Sequence, residues 1–262
     1  MENLRVTTVQ ADLVWEDKVA NLKRFDEKLE GLAGNTDLII LPEMFTTGFT
    51  MRTHSLAESM DGPSLTWLKE KAKSLNAAIM GSLIIGENND FYNRLIYVTP
   101  SGDIQQYDKR HLFTMGDEHD HFTPGEEKLI IELHGWRICP LICYDLRFPV
   151  WARNVEDYDL LIYTANWPEP RNYAWKSLLL ARAIENQCYT VGVNRVGKDG
   201  KGLNYSGDTC VIGPMGDKPI YIDSNEEAVR TTSISKVVLH EVRSKLPFLA
   251  DRDEVVIIRD VN

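Results

Sequence analysis

Short runs of uninterrupted apolar residues constrain this chain more than any other feature. Residues 37–41 (Asp-Leu-Ile-Ile-Leu) stop at Pro42, and residues 160–165 (Leu-Leu-Ile-Tyr-Thr-Ala) form a second such run. Runs of this length and continuity fit strands covered on both faces. Between them lie segments of helical spacing. Val19, Leu22, Phe25 and Leu29 mark one over residues 17–32, with Gly34 and Asn35 as its stop. Residues 64–75, 172–187 and 236–243 read as further helices. Strands are expected at 4–9, 77–85, 91–98, 104–107, 128–133, 137–142, 188–193, 208–212, 218–221 and 229–233. Turns at Thr99-Pro-Ser-Gly102, His134-Gly135 and Gly213-Pro-Met-Gly216 join hairpins. Helices that cover mixed sheets make an α/β protein, and no linker, low-complexity tract or short repeat divides it. The 262 residues, 43% apolar and 26% charged, therefore read as a single domain spanning 1–262.

The same composition excludes several classes. A formal net charge of −10 argues against nucleic acid as a partner, which needs clustered Lys and Arg. No apolar stretch is long enough for a transmembrane helix. Met1-Glu-Asn-Leu-Arg-Val runs straight into a strand pattern without a basic and then apolar leader, so a cytoplasmic protein is expected. Cys139, Cys143, Cys188 and Cys210 are too few for a disulfide framework and read as thiols. In a strand the Cys139–Cys143 spacing spans on the order of 13 Å, too far for a disulfide. Neither a zinc spacing nor the glycine fingerprints of nucleotide folds occur, so no metal and no cofactor is expected.

Three reactive residues stand just past apolar strands: Glu43 in Leu41-Pro-Glu-Met44, Lys109 in Tyr107-Asp-Lys-Arg-His-Leu112, and Cys143 in Leu141-Ile-Cys-Tyr-Asp145. Strand ends are where sheet enzymes bind ligands, so the three can converge although they lie 66 and 34 residues apart. Taken singly, each has an ordinary reading: a salt-bridge glutamate, a solvated lysine, a small core cysteine. The residues by themselves reach only as far as a cysteine-dependent enzyme.

The local sequences go further. LPEMFTTGF (41–49), YDKRHLF (107–113) and LICYDLRFP (141–149) resemble the signature segments of the nitrilase superfamily. Pro124-Gly125, Asn166-Trp167 and Arg182-Ala-Ile-Glu-Asn-Gln187 extend the resemblance over nearly the whole chain. It implies a four-layer α-β-β-α sandwich whose subunits pair through a helical face, hence a homodimer or higher homo-oligomer. It also implies roles: Glu43 as general base, Lys109 as oxyanion-holding ammonium, Cys143 as nucleophile. Glu118 matches a second glutamate that orients the lysine or substrate, although Asp117 and Asp120 crowd the same loop.

Such a set suits amide hydrolysis. A covalent route divides a difficult reaction into two acyl transfers. Glu43 can take the thiol proton, return it to the leaving nitrogen and then activate water. Lys109 and the backbone N–H of Tyr144 can hold the oxyanion. The segments at 143–149 and 165–175 look closest to the omega-amidase branch, which cleaves small-molecule amides such as the 2-oxo dicarboxylic monoamide 2-oxoglutaramate. That substrate ends in a carboxylate, for which Arg147 is the first cation and Arg171 and Lys176 are weaker ones. A buried Arg147–Asp145 salt bridge competes with this reading. Trp167 and Phe45 are expected as pocket walls, with an ordinary core role as the alternative. His54, His119 and His121 read as loop residues. A nitrilase, an N-carbamoyl amino acid amidohydrolase and a non-catalytic scaffold of the same fold remain as alternatives.

Overall fold

The computed structural model of the chain describes residues 3–217 and 220–257. In chain order the first half comprises β1 (Leu4–Gln10), α1 (Lys18–Lys28), β2 (Leu38–Ile40), α2 (Thr53–Leu56), α3 (Pro63–Leu75), β3 (Ala78–Glu87), β4 (Asp90–Val98) and β5 (Ile104–Asp108). The second comprises β6 (Ile131–Leu133), β7 (Trp136–Ile142), α4 (Pro149–Ala152), β8 (Leu160–Ala165), α5 (Asn172–Asn186), β9 (Tyr189–Asn194), β10 (Val196–Lys198), β11 (Asn204–Ser206), β12 (Cys210–Ile212), β13 (Ile220–Tyr221), β14 (Ala228–Ile234) and α6 (Lys236–Lys245). The strand expected over 218–221 falls partly outside the described residues.

Two six-stranded sheets carry the molecule, ordered β14-β1-β2-β3-β4-β5 and β13-β12-β9-β8-β7-β6. Each has three parallel strands at its centre, β1-β2-β3 and β7-β8-β9, flanked by antiparallel partners. The apolar runs are explained by where their faces go. In β2, Leu38 and Ile40 join the core shared with the second sheet, while Ile39 packs toward Phe25, Leu65 and Leu68 of α1 and α3. On the other side Trp175, Leu179 and Ala183 of α5 and Leu239 of α6 cover β8 and β9. The layers are thus helix, sheet, sheet, helix, the α-β-β-α sandwich expected from the resemblance.

Differences lie at element ends and in short elements the sequence does not announce, α2, α4 and the hairpin β10-β11. The first helix begins at the cap residue Asp17, whose side chain accepts from Ala20 N–H, but stops at Lys28 because Gly31 (φ +76°) turns left-handed before Gly34 does. Asp208, read as strand, has φ +58° and precedes β12, its carboxylate engaged by four side chains. Residues 128–130 likewise precede β6. Among the described residues no helix is long and apolar enough to cross a membrane.

Candidate active site

The three reactive residues meet where β2 and β7, parallel strands of the two sheets, and the antiparallel edge strand β5 end. Glu43 lies three residues beyond β2, in a turn that Ser82 of β3 fixes by accepting from Met44 N–H at 2.8 Å. Lys109 directly follows β5, its backbone clamped by Asn93 of β4 on one side and Gly125 on the other. Cys143 directly follows β7 at φ +41° and opens a 3-10 turn over Cys143–Arg147. That turn is pinned by Asp145. Its carboxylate accepts from Ile142 N–H at 3.0 Å and Tyr107 O–H at 2.8 Å. It also accepts from His111 N–H at 3.0 Å and the His111 ring at 2.8 Å. One buried side chain thus joins the cysteine turn to the lysine segment.

Glu43, Lys109 and Glu118 are 0% exposed and Cys143 9%. Lys109 Nζ donates to Glu43 Oε1 at 2.9 Å and to Glu118 Oε1 and Oε2 at 3.0 and 2.8 Å. Burial would lower the ammonium's pKa, but the charges of Glu118 and Glu43 outweigh it and the net shift is upward. Lys109 therefore stays charged. Burial pushes Glu118 up, Lys109 pulls it partly back, and Glu43 adds to the rise. Burial also pushes the Cys143 thiol well up, reinforced by the Glu43 charge and opposed by Lys109, so the resting sulfur is a thiol. Of the three acids in the Glu118 loop only Glu118 is buried; Asp117 and Asp120 are exposed.

Two asparagines position the carboxylates. Asn93 Nδ2 donates to Glu43 Oε1 at 2.8 Å and Glu118 Oε1 at 3.1 Å. Asn166 donates its N–H to Glu43 Oε2 at 2.8 Å and its side chain to the Glu43 carbonyl at 2.6 Å. Asn93 was missed in the sequence, although polar residues inside the strand pattern 91–98, Asn93 and Arg94, are a signal for buried hydrogen-bond hubs.

A cavity of about 250 Å³ opens over Cys143 and Lys109. Tyr144, Arg147, Trp167 and Arg171 line it. Arg147 is exposed and lies over the Trp167 ring at 4.9 Å, and Arg171 over Phe113 at 5.1 Å. The Arg147–Asp145 salt bridge does not form, because backbone, Tyr107 and His111 donors already occupy Asp145. Phe45 does not line the cavity. It is buried against Phe25 and Trp67 at 5.5 and 5.9 Å, on the helix side of the first sheet. Phe49, four residues on, takes the wall place, with Lys109 Nζ 5.2 Å from its ring. Lys176 is also elsewhere, paired with Asp208 at 2.6 Å. His54 sits in α2 against Phe91, and neither it nor His119 or His121 lines the cavity.

Comparison with known proteins agrees with this geometry. Residues 5–244 match the carbon-nitrogen hydrolase family. An omega-amidase of Escherichia coli K12 is 48% identical over 97% of this chain and 98% of its own. A 2-oxoglutaramate amidase of Bacillus subtilis is 34% identical over 94% of this chain and 96% of its own. A CN-hydrolase superfamily protein of Xanthomonas campestris, solved with an arsenic adduct in its active site, superposes with a TM-score of 0.96. It is 47% identical and covers 98% of this chain and 100% of that one. The buried Glu, Lys and Cys at three strand ends, in a fold shared over nearly the full length, place this chain in the carbon-nitrogen hydrolase family of the nitrilase superfamily, among its enzymes.

Proposed function

We propose that this enzyme hydrolyses the terminal amide of 2-oxo dicarboxylic acid monoamides, of which 2-oxoglutaramate is the type, to the acid and ammonia. The observation that carries the reading is one cavity with Lys109 and Cys143 in its lining, Glu43 paired with Lys109 just behind them, and unpaired arginines beside them. The Glu-Lys-Cys group suits an amide and the arginines a carboxylate. The omega-amidase and 2-oxoglutaramate amidase relatives support the same substrate class.

In the first half-reaction Glu43 accepts the Cys143 proton as sulfur bonds to the amide carbon. Lys109 and the Tyr144 N–H hold the oxyanion, and losing one such donor costs on the order of 3 kcal/mol of barrier. As the tetrahedral intermediate collapses, the carbon–nitrogen bond breaks and the proton on Glu43 leaves with the nitrogen as ammonia. Glu43 then takes a proton from water, whose oxygen attacks the thioester carbon, and returns it to the departing sulfur. Glu118 keeps Lys109 charged and in place. Arg147 and Arg171 hold the distal carboxylate, and Trp167 walls the chain between. The catalytic unit is a single domain of residues 1–262, working in the cytosol as a homodimer or higher homo-oligomer.

The test is ammonia release from 2-oxoglutaramate, a nitrile and an N-carbamoyl amino acid, with wild type and Cys143→Ala. Turnover confined to the amide and abolished in the variant is expected. Predominant nitrile or carbamoyl turnover, or activity surviving in the variant, would overturn the reading.

A further inference from the structure

The cavity rim carries a third cation, Lys201, and the way the chain holds it points to a role in choosing the substrate. Lys201 sits in the turn joining β10 to β11 and lines the same cavity as Cys143, Arg147 and Arg171. The turn is built rather than loose. Asp199 N–H donates to the Leu203 carbonyl at 3.1 Å and Gly202 N–H to the Asp199 carbonyl at 3.0 Å. Asp199 Oδ1 accepts the N–H groups of Lys201 and Leu203, both at 2.9 Å, and Oδ2 accepts the Tyr205 hydroxyl at 3.0 Å. A side chain at Gly200 would meet Trp15 Nε1 at 2.3 Å, so the turn lies flat on that indole.

Asp199, which lines the same cavity, thus has its carboxylate oxygens engaged by backbone and tyrosine donors rather than by Lys201. Among the described residues Arg147, Arg171 and Lys201 have no carboxylate within ion-pair distance. Three unpaired cations around one mouth stand out in a chain of net charge −10. Asp199 is the one acid among the described residues of the cavity lining, and Glu43 and Glu118 lie buried behind Lys109, so the cations outnumber the acid and make a local positive field that draws anions to the mouth.

We propose that Lys201 is a specificity-determining residue, its ammonium selecting amides that carry a carboxylate at the end remote from the scissile carbon. This rests on the amidase reading above and deepens it. An arginine fork fixes the carboxylate's plane, and a lysine on a separate hairpin adds a point charge without demanding an orientation. Lys201 thus contributes to capture more than to the chemical step.

The experiment compares two linear amides of equal length, one ending in a carboxylate and one in its methyl ester, on wild type, Lys201→Ala and Lys201→Arg. For the anionic amide, Lys201→Ala should lower kcat/KM by about tenfold, almost wholly through KM, the loss of one charge-assisted contact. The ester should change by less than about twofold, and Lys201→Arg should restore most of the loss. Binding of 2-oxoglutarate, which has no amide to cleave, is measured in parallel by calorimetry. Equal losses on both amides, or unchanged binding and KM in Lys201→Ala, would overturn the proposal. If no protein turns over either amide, the amidase reading fails, while weaker 2-oxoglutarate binding in Lys201→Ala still supports the selection of anions.

Discussion

Cys143 is held with φ +41° at the end of a strand, a conformation that costs a non-glycine residue on the order of 1 kcal/mol and must be imposed by its surroundings. Asp145 imposes it. Asparagine is nearly the same shape but carries one acceptor oxygen where four donors now converge. Asp145→Asn should therefore lower unfolding stability by roughly 2–3 kcal/mol, read by urea titration. It should also slow alkylation of Cys143 and lower kcat more than it raises KM, because turn and lysine segment loosen together. Unchanged alkylation would show that the turn holds its shape without the clamp. Glu43→Gln separates basicity from electrostatics. Losing the base should lower kcat by about 10²- to 10⁴-fold. Yet removing a negative neighbour favours the thiolate, so the Cys143 titration should move to lower pH, although burial still holds it high. Mass-spectrometric alkylation rates against pH would show this, and an upward shift would contradict the account.

At the scale of elements, the lysine segment depends on close contact with the loop at Pro124-Gly125. Gly125 N–H donates to the Lys109 carbonyl at 2.9 Å, and a Cβ there would stand 2.1 Å from the Asp108 carbonyl oxygen. That oxygen is backbone and cannot swing away. Gly125→Ala should displace residues 108–109 from β5, costing about 2–4 kcal/mol of stability and most of the activity, while Gly102→Ala, whose Cβ meets nothing, tests only the cost of positive φ. Equal effects of the two would refute the contact argument. The same elements show what the sequence could convey. Strands buried on both faces were legible because nothing but apolar residues fits there, and residues 160–165 match β8 to the residue. Phe45 and Phe49 were not separable, because which of two aromatics meets the cavity depends on how the chain turns at Met44 (φ +43°). Asn93 and Lys201 escaped because their partners are 50 residues away or a cavity, and neither distance nor cavity has a local pattern.

The whole molecule repeats one plan twice: three parallel strands with two helices behind, then antiparallel edges, with the two sheets facing each other. No fixed short period betrays this, since the shared element is a pattern of burial rather than a string of residues. Carboxylates tie the layers and edges together. Asp37 pairs with Arg5, Glu227 with Lys28 and the Asp12 N–H, and Asp208 with Lys176, Asn172, Ser206 and Ser224. Burial alone would raise each carboxyl, but these donors outweigh it and hold all three below the ordinary range. A carboxyl whose folded pKa is depressed binds fewer protons folded than unfolded. Its stabilisation is full above the unfolded value, 3.8 for Asp208, and drains away as pH falls through the folded one. Unfolding free energy should therefore hold steady from pH 7 toward 5 and fall steeply below about 4. Asp208→Asn should start lower at pH 7, by roughly 2–3 kcal/mol for a charge-assisted network, and decline less steeply, so that the two curves approach each other in acid. Urea midpoints measured from pH 7 to 3 would decide it: curves that stay parallel to the acid limit would mean that Asp208 holds α5 to the second sheet through shape and neutral hydrogen bonds, with its charge contributing nothing.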